Sequence, residues 1–264
     1  MPIAPVNGQH LFYRDTGGDG PVLVFSHGLL MDHEMFEPQL AAFGSTCRCI
    51  AWDERAHGQT ADDDVAPFSY YDSADDLVAL LDYLGIERAV LVGMSQGGYL
   101  SLRCALTHPQ RVEALVLIDT QARVEEPAKL AGYEQMLDVW TNQGLPESIA
   151  DDIAEIILGP AWHGAEQWKA KWRGWQAHNL NQAFRTLIDR DDISHDIARI
   201  EVPALVIHGE ADQAITLDRA EEMAGHLRHA EMVTVPEAGH ASNLTHPEPV
   251  NAAISRFLKQ LGYI

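Results

Sequence analysis

Apolar and polar positions alternate along this chain in two patterns. Residues 22–26, 47–52, 89–92, 114–118, 204–208 and 232–235 are short, near-continuous apolar runs. Runs of that kind suit parallel strands buried on both faces. Between them the apolar period lengthens to that of a helix. In 72–84, Leu77, Leu80, Leu81 and Leu84 share one helical face, and Gly85 follows as a C-terminal cap. Residues 34–43, 99–106, 218–227 and 249–261 are predicted as further helices. Ahead of them, Val6-Asn7-Gly8-Gln9 predicts a hairpin between two short strands. Strand and helix in alternation imply a mostly parallel sheet with helices on both faces, its ligands at the carboxyl ends of the strands.

One interruption breaks the alternation. From about 122 to 195 the pattern is helical without strands, which divides the chain into a core of 1–121 and 196–264 and a helical lid of 122–195. Five of the six tryptophans fall in the lid, and Trp168, Trp172 and Trp175 are spaced i, i+4, i+7. That spacing predicts that they share one helical face. That face packs the lid onto the body, and its underside is also a pocket roof.

The run at 89–92 leads into Gly93-Met94-Ser95-Gln96-Gly97-Gly98, and a helix pattern follows at once. Gly-x-Ser-x-Gly on a tight strand-to-helix turn is a nucleophile elbow. Such a turn strains the serine backbone, leaves no room for side chains two residues either way, and points the free N–H groups of a helix start at a developing oxyanion. A serine hydroxyl needs a general base, and the base needs a carboxylate partner. The chain order in elbow hydrolases is Ser, then Asp or Glu, then His. Two later strand ends supply candidates: His208-Gly209-Glu210-Ala211-Asp212, where Glu210 competes with Asp212, and Glu237-Ala238-Gly239-His240.

These motifs, with His27-Gly28 and Asp53-x-Arg55-x-x-Gly58-x-Thr60, resemble the α/β-hydrolase superfamily over nearly the whole chain. The resemblance implies the α/β-hydrolase fold, an eight-stranded, mostly parallel sheet with a helical lid insert. It implies Ser95 as nucleophile, Asp212 as acid and His240 as base, with the backbone N–H groups of Leu29 and Gln96 as oxyanion hole. One departure is Ala56, where the family motif usually continues with Gly. Ser95 in place of an aspartate argues against haloalkane dehalogenases and epoxide hydrolases. The stretches 27–39 and 117–123 are similar to the 3-oxoadipate enol-lactonase-like and carboxylesterase branch. The expected activity is hydrolysis of a small, neutral carboxylic ester or lactone through an acyl-enzyme, although the enol-lactonase likeness implies a small carboxylate substrate. C–C bond hydrolysis, perhydrolase or haloperoxidase chemistry, and a non-turnover ligand receptor are the alternatives. Leu30, Trp140 and Trp172 are expected against the substrate. Arg123, just past a strand's carboxyl end, is the candidate cation, followed by Lys169 and Arg173.

Composition narrows the partners. A formal charge of −21 argues against nucleic acid and anionic membranes, and means that a small anionic substrate needs a local cation. No apolar run approaches the ~20 residues of a membrane span. The first residues lack a basic and apolar leader pattern, so no signal peptide is expected. Cys47, Cys49 and Cys104 are expected as reduced core thiols, the first two lying on one strand face in poor geometry for a disulfide. The expected setting is cytoplasmic, as monomer or homodimer, with no cofactor. His226 and His229 form no completed metal pattern, so no metal is expected.

Overall fold

The computed structural model describes residues 2–60 and 65–264. Its eight strands are β1 (Ile3–Val6), β2 (Gln9–Asp15), β3 (Val22–Ser26), β4 (Arg48–Trp52), β5 (Ala89–Met94), β6 (Val112–Ile118), β7 (Ala204–Gly209) and β8 (Ala230–Val235). They form one sheet in the order β1-β2-β4-β3-β5-β6-β7-β8. The β1–β2 and β2–β4 pairs are antiparallel, and the others are parallel. Asn7 and Gly8 both take positive φ, 47° and 74°, as a two-residue hairpin turn requires.

The helices are α1 (Glu37–Phe43), α2 (Tyr70–Tyr83), α3 (Gln96–Thr107), α4 (Pro127–Gln143), α5 (Glu147–Leu158), α6 (Ala165–Arg173), α7 (Ala177–Ile188), α8 (Leu217–His226), α9 (Ser242–Thr245) and α10 (Pro247–Gln260). Alternate strand residues feed two separate cores. Val90 and Val92 of β5 join the core under α1, α10 and the insert. Ala89 and Leu91 join the core under α2, α3 and α8. The period-two side-chain alternation of a strand therefore builds both layers at once. Cys47, Cys49 and Cys104 are buried and free. Among the described residues no helix is long and apolar enough to cross a membrane.

The stretch between β6 and β7 carries four helices, α4 to α7, and no strand. The tryptophan stripe is shorter than its spacing suggests. Helix α6 stops at Arg173 with Gly174 as its cap, so Trp175 lies beyond it. Trp175 instead packs edge-on against His57, ring centroids 5.0 Å apart. Trp168 and Trp172 are buried. Trp172 donates its indole N–H to the Leu30 carbonyl (2.8 Å), and Lys171 pairs with Asp32 (2.6 Å) and Glu34 (2.8 Å). Helix α6 is thus pinned to the loop that follows β3.

The loop after β4 is a structural brace. Buried Asp53 accepts from His33 N (2.7 Å), His33 Nδ1 (2.8 Å) and Gln59 N (2.8 Å). Ala56 sits at φ 65°, which explains why glycine is usual there in the family motif. Arg55 pairs with Asp76 of α2, which also accepts from Asn7 (3.0 Å). The Asp76 side chain is fully buried. Asp76→Ala leaves Arg55 without its counter-ion, so a loss of about 3–5 kcal/mol in urea-unfolding free energy is expected.

Candidate active site

The elbow forms where three backbones meet more closely than side chains permit. A Cβ on Gly93 would collide with the Gly97 backbone, one on Gly97 with the Ser26 carbonyl, and one on Gly98 with Thr120. Ser95 lies between β5 and α3 at φ 51°, ψ −116°. It is a non-glycine residue in a region that L side chains seldom adopt. Its N–H donates to the Ile118 carbonyl (2.9 Å), and its own carbonyl accepts from Thr120 Oγ1 (2.6 Å). The strained turn is thereby tied to β6.

His240, in the loop after β8, lies 2.9 Å by Nε2 from Ser95 Oγ and 2.8 Å by Nδ1 from Asp212 Oδ2. The other Asp212 oxygen accepts from Ala214 N (2.8 Å) and Ile215 N (2.9 Å). Nδ1–H therefore donates to the carboxylate, and Nε2 is left to accept from the hydroxyl. Glu210 is exposed, so Asp212 is the carboxylate that meets the imidazole. Burial pushes the Asp212 pKa up, but the adjoining His240 brings it below the ordinary value. Burial pushes His240 down, yet Asp212 holds it above the usual histidine value.

Two further buried carboxylates brace this geometry, and motif reading did not single them out. Asp119, at φ 47° just past β6, accepts from Gly209 N (2.8 Å) and Ser242 N (2.9 Å). It ties the end of β7 to the segment after His240. Burial and the nearby Asp212 charge push its pKa up to about 7. Glu54 accepts from the side-chain amide of Gln96, whose Oε1 accepts from Tyr70 OH (3.2 Å). Burial raises the Glu54 pKa to about 7. The available signal was a polar residue at the carboxyl end of an apolar run, which both positions show.

Leu29 follows β3 in the loop that faces the elbow, and Gln96 opens α3. Among the described residues, neither backbone N–H has an acceptor. Among the described residues, two sets of potential metal donors occur, Asp32 with His33 and Asp53, and Asp119 with His208 and Asp212. In both, carboxylate oxygens already accept from protein N–H groups.

A cavity of about 120 Å³ opens over Ser95 and His240. Its floor includes Gly28, Leu29, Leu30 and Met94, and its walls Met136, Ile153, Ile157, Phe184 and Leu187. Leu30 lines this cavity. Trp140 and Trp172 are not on the cavity wall: both are buried in the packing of the insert on the body. A buried indole N–H needs an acceptor, and for Trp172 that acceptor is Leu30 O. Arg123 is also absent from the wall. Its side chain is 46% exposed and pairs with Glu222 at 3.0 Å. Lys169 and Arg173 are held by carboxylates of the insert itself. The charged groups that do line the cavity are Glu125, Lys129 and Arg190.

Residues 21–247 match the model of the alpha/beta hydrolase fold family. The chain belongs to that family. It is 30% identical to "Putative carbamate hydrolase RutD" of Caulobacter sp. (strain K31), with 98% of each chain covered. It is 26% identical to 3-oxoadipate enol-lactonase 1 of Acinetobacter baylyi, over 92% of this chain and 90% of that one. Among solved structures it is similar to the enol-lactonase of Burkholderia xenovorans LB400, with TM-score 0.89, 27% identity, and coverage of 98% of this chain and 100% of that one.

His240 holds its proton above the ordinary histidine value. Its protonation therefore adds stability below pH ~6.5, and that increment is lost as pH rises through the folded-state value. Asp212→Asn is expected to lower the His240 midpoint in imidazole NMR and to weaken this pH dependence between pH 5 and 8.

Proposed function

We propose that the protein is a serine hydrolase of a small carboxylic ester or lactone and works through an acyl-enzyme on Ser95. The observation that carries this reading is the hydrogen-bonded line Ser95 Oγ–His240–Asp212 at the floor of a largely apolar cavity. His240 takes the Ser95 proton as the hydroxyl attacks the carbonyl carbon. Asp212 holds the imidazole in the required tautomer and stabilises the imidazolium. The N–H groups of Leu29 and Gln96 receive the oxyanion of the tetrahedral intermediate, each such donor typically adding about 10²–10³ in rate. His240 then gives its proton to the leaving alcohol, or to the ring-opened alkoxide of a lactone. Water, deprotonated by His240, releases the acid.

The insert serves as the lid. Its aliphatic underside excludes water from the acyl-enzyme and selects short apolar chains. The chemistry calls for no cofactor, and three buried thiols suit a reducing compartment such as the cytoplasm. Lactone substrates draw support from the enol-lactonase relatives.

With p-nitrophenyl acetate, the wild type is expected to turn over many times. Ser95→Ala and His240→Ala should each lose about 10⁴–10⁶ in kcat while remaining folded, and Asp212→Asn somewhat less. Near-normal turnover by Ser95→Ala would overturn the assignment. The rate should fall on the acid side with a midpoint above the reference value of ~6.5, because Asp212 favours the protonated imidazole. A rate flat from pH 8 to 5 would count against His240 as base.

A further inference from the structure

We propose that Lys129 and Arg190, with Glu125 between them, form a receptor for a single carboxylate, so that the ester or lactone hydrolysed here carries one negative charge. The proposal rests on Ser95 being the nucleophile. Glu125 stands at the start of the insert, Lys129 on α4 and Arg190 just past α7, and all three line the cavity above Ser95. Glu125 Oε2 lies 3.0 Å from Lys129 Nζ, and Glu125 Oε1 lies 3.1 Å from Arg190 Nη2 and 2.8 Å from Gln121 Nε2. One carboxylate is shared by two cations, which leaves one positive charge in excess.

A role in closing the neck of the insert accounts for only part of this network. Arg190 Nη2 also donates to Arg123 O (2.7 Å), so the Arg190–Glu125 pair already joins the two ends of the insert. Lys129 is surplus to that join. The Arg190 side chain is only 3% exposed, yet among the described residues its Nε has no acceptor. Its guanidinium lies 4.8 Å from the Tyr99 ring centroid, a contact that steadies the cation without neutralising it. A buried guanidinium that shares its carboxylate with a second cation and leaves one N–H unpaired is costly, and a second carboxylate supplies both the charge and the acceptor. Asp212 does not serve, because its oxygens are taken by His240, Ala214 N and Ile215 N.

The network is also close to the reacting atoms. Lys129 Nζ donates to Ala214 O, in the same turn that holds Asp212. Its charge is felt at His240, where it opposes protonation. Most of the remaining lining is aliphatic or aromatic. The fitting substrate is short, apolar in the middle and charged at one end. Glu125 sets the count: it cancels one cation and repels a second anionic group.

The test uses three p-nitrophenyl esters of similar acyl length: the pentanoate (neutral), the glutarate monoester (one carboxylate) and the tricarballylate monoester (two carboxylates). The wild type is expected to prefer the monoanion to the neutral ester in kcat/KM by about 10- to 100-fold, the worth of one charge-assisted contact. The dianion should fall below the monoanion. Lys129→Met should reduce the monoanion-to-neutral ratio by at least about tenfold. Glu125→Gln should raise the dianion relative to the monoanion. Because Glu125→Gln removes the counter-ion of buried Arg190, butyrate and butyramide are also compared as inhibitors of pentanoate hydrolysis by wild type. Tighter competition by butyrate supports the receptor. Equal inhibition, a wild-type preference for the neutral ester, or a ratio unchanged in Lys129→Met would overturn it. Ester hydrolysis insensitive to Ser95→Ala would instead overturn the functional reading on which the proposal rests.

Discussion

The structure depends on one close approach, the crossing of α3 over the ends of β3 and β5. Gly93 and Gly97 let backbone touch backbone there, and Gly98 leaves room for the Thr120 side chain. Gly97 lies against the Ser26 carbonyl, and Ser26 immediately precedes the loop that carries Leu29. Packing therefore helps to set the distance between the Leu29 and Gln96 N–H groups before any side chain takes part. The same contact holds Ser95 at a backbone conformation that an unconstrained serine would leave. Asp119 does the complementary work on the other side, bonding the end of β7 to the segment after His240. The Ser95–His240–Asp212 line spans loops from three strands, and each loop is secured from behind.

Much of this was legible in the residues, for identifiable reasons. A strand buried on both faces must be apolar throughout, so the inner strands announce themselves. The elbow is equally plain, because only glycine fits at 93 and 97. Boundaries were less visible. Helix α2 starts at Tyr70, two residues before the expected start at Asp72, because Ser69 and Asp72 form a reciprocal cap. Helix α3 starts at Gln96 because tertiary contact overrides the poor helix propensity of Gly97 and Gly98.

The substrate side of the cavity was the least legible part. The insert has apolar residues on more than one face, since it must pack on the body and roof the cavity at once. Spacing alone cannot assign Trp172 to one task and Ile153 or Phe184 to the other. The Trp172 indole N–H went where a backbone acceptor awaited it, and aliphatic residues with Phe184 took the cavity wall. Cations pose the same difficulty. In a chain of net charge −21 most find a carboxylate nearby, as Arg123, Lys169 and Arg173 do. Which cation is left with too few partners depends on residues as far apart as 125 and 190.

The bond from Trp172 to the Leu30 carbonyl joins two parts usually described as independent. Leu30 is the residue after Leu29, and it sits at φ 65°, where small changes of torsion swing the preceding peptide. The insert therefore grips the strand of backbone that presents the Leu29 N–H. If the Leu29 N–H serves as proposed, substrate choice and catalytic power are not separable modules: exchanging the insert for one of another shape would disturb the loop that carries that N–H along with the pocket. Chimeras that transplant only the specificity of such an insert carry a built-in rate change, transmitted through a single indole.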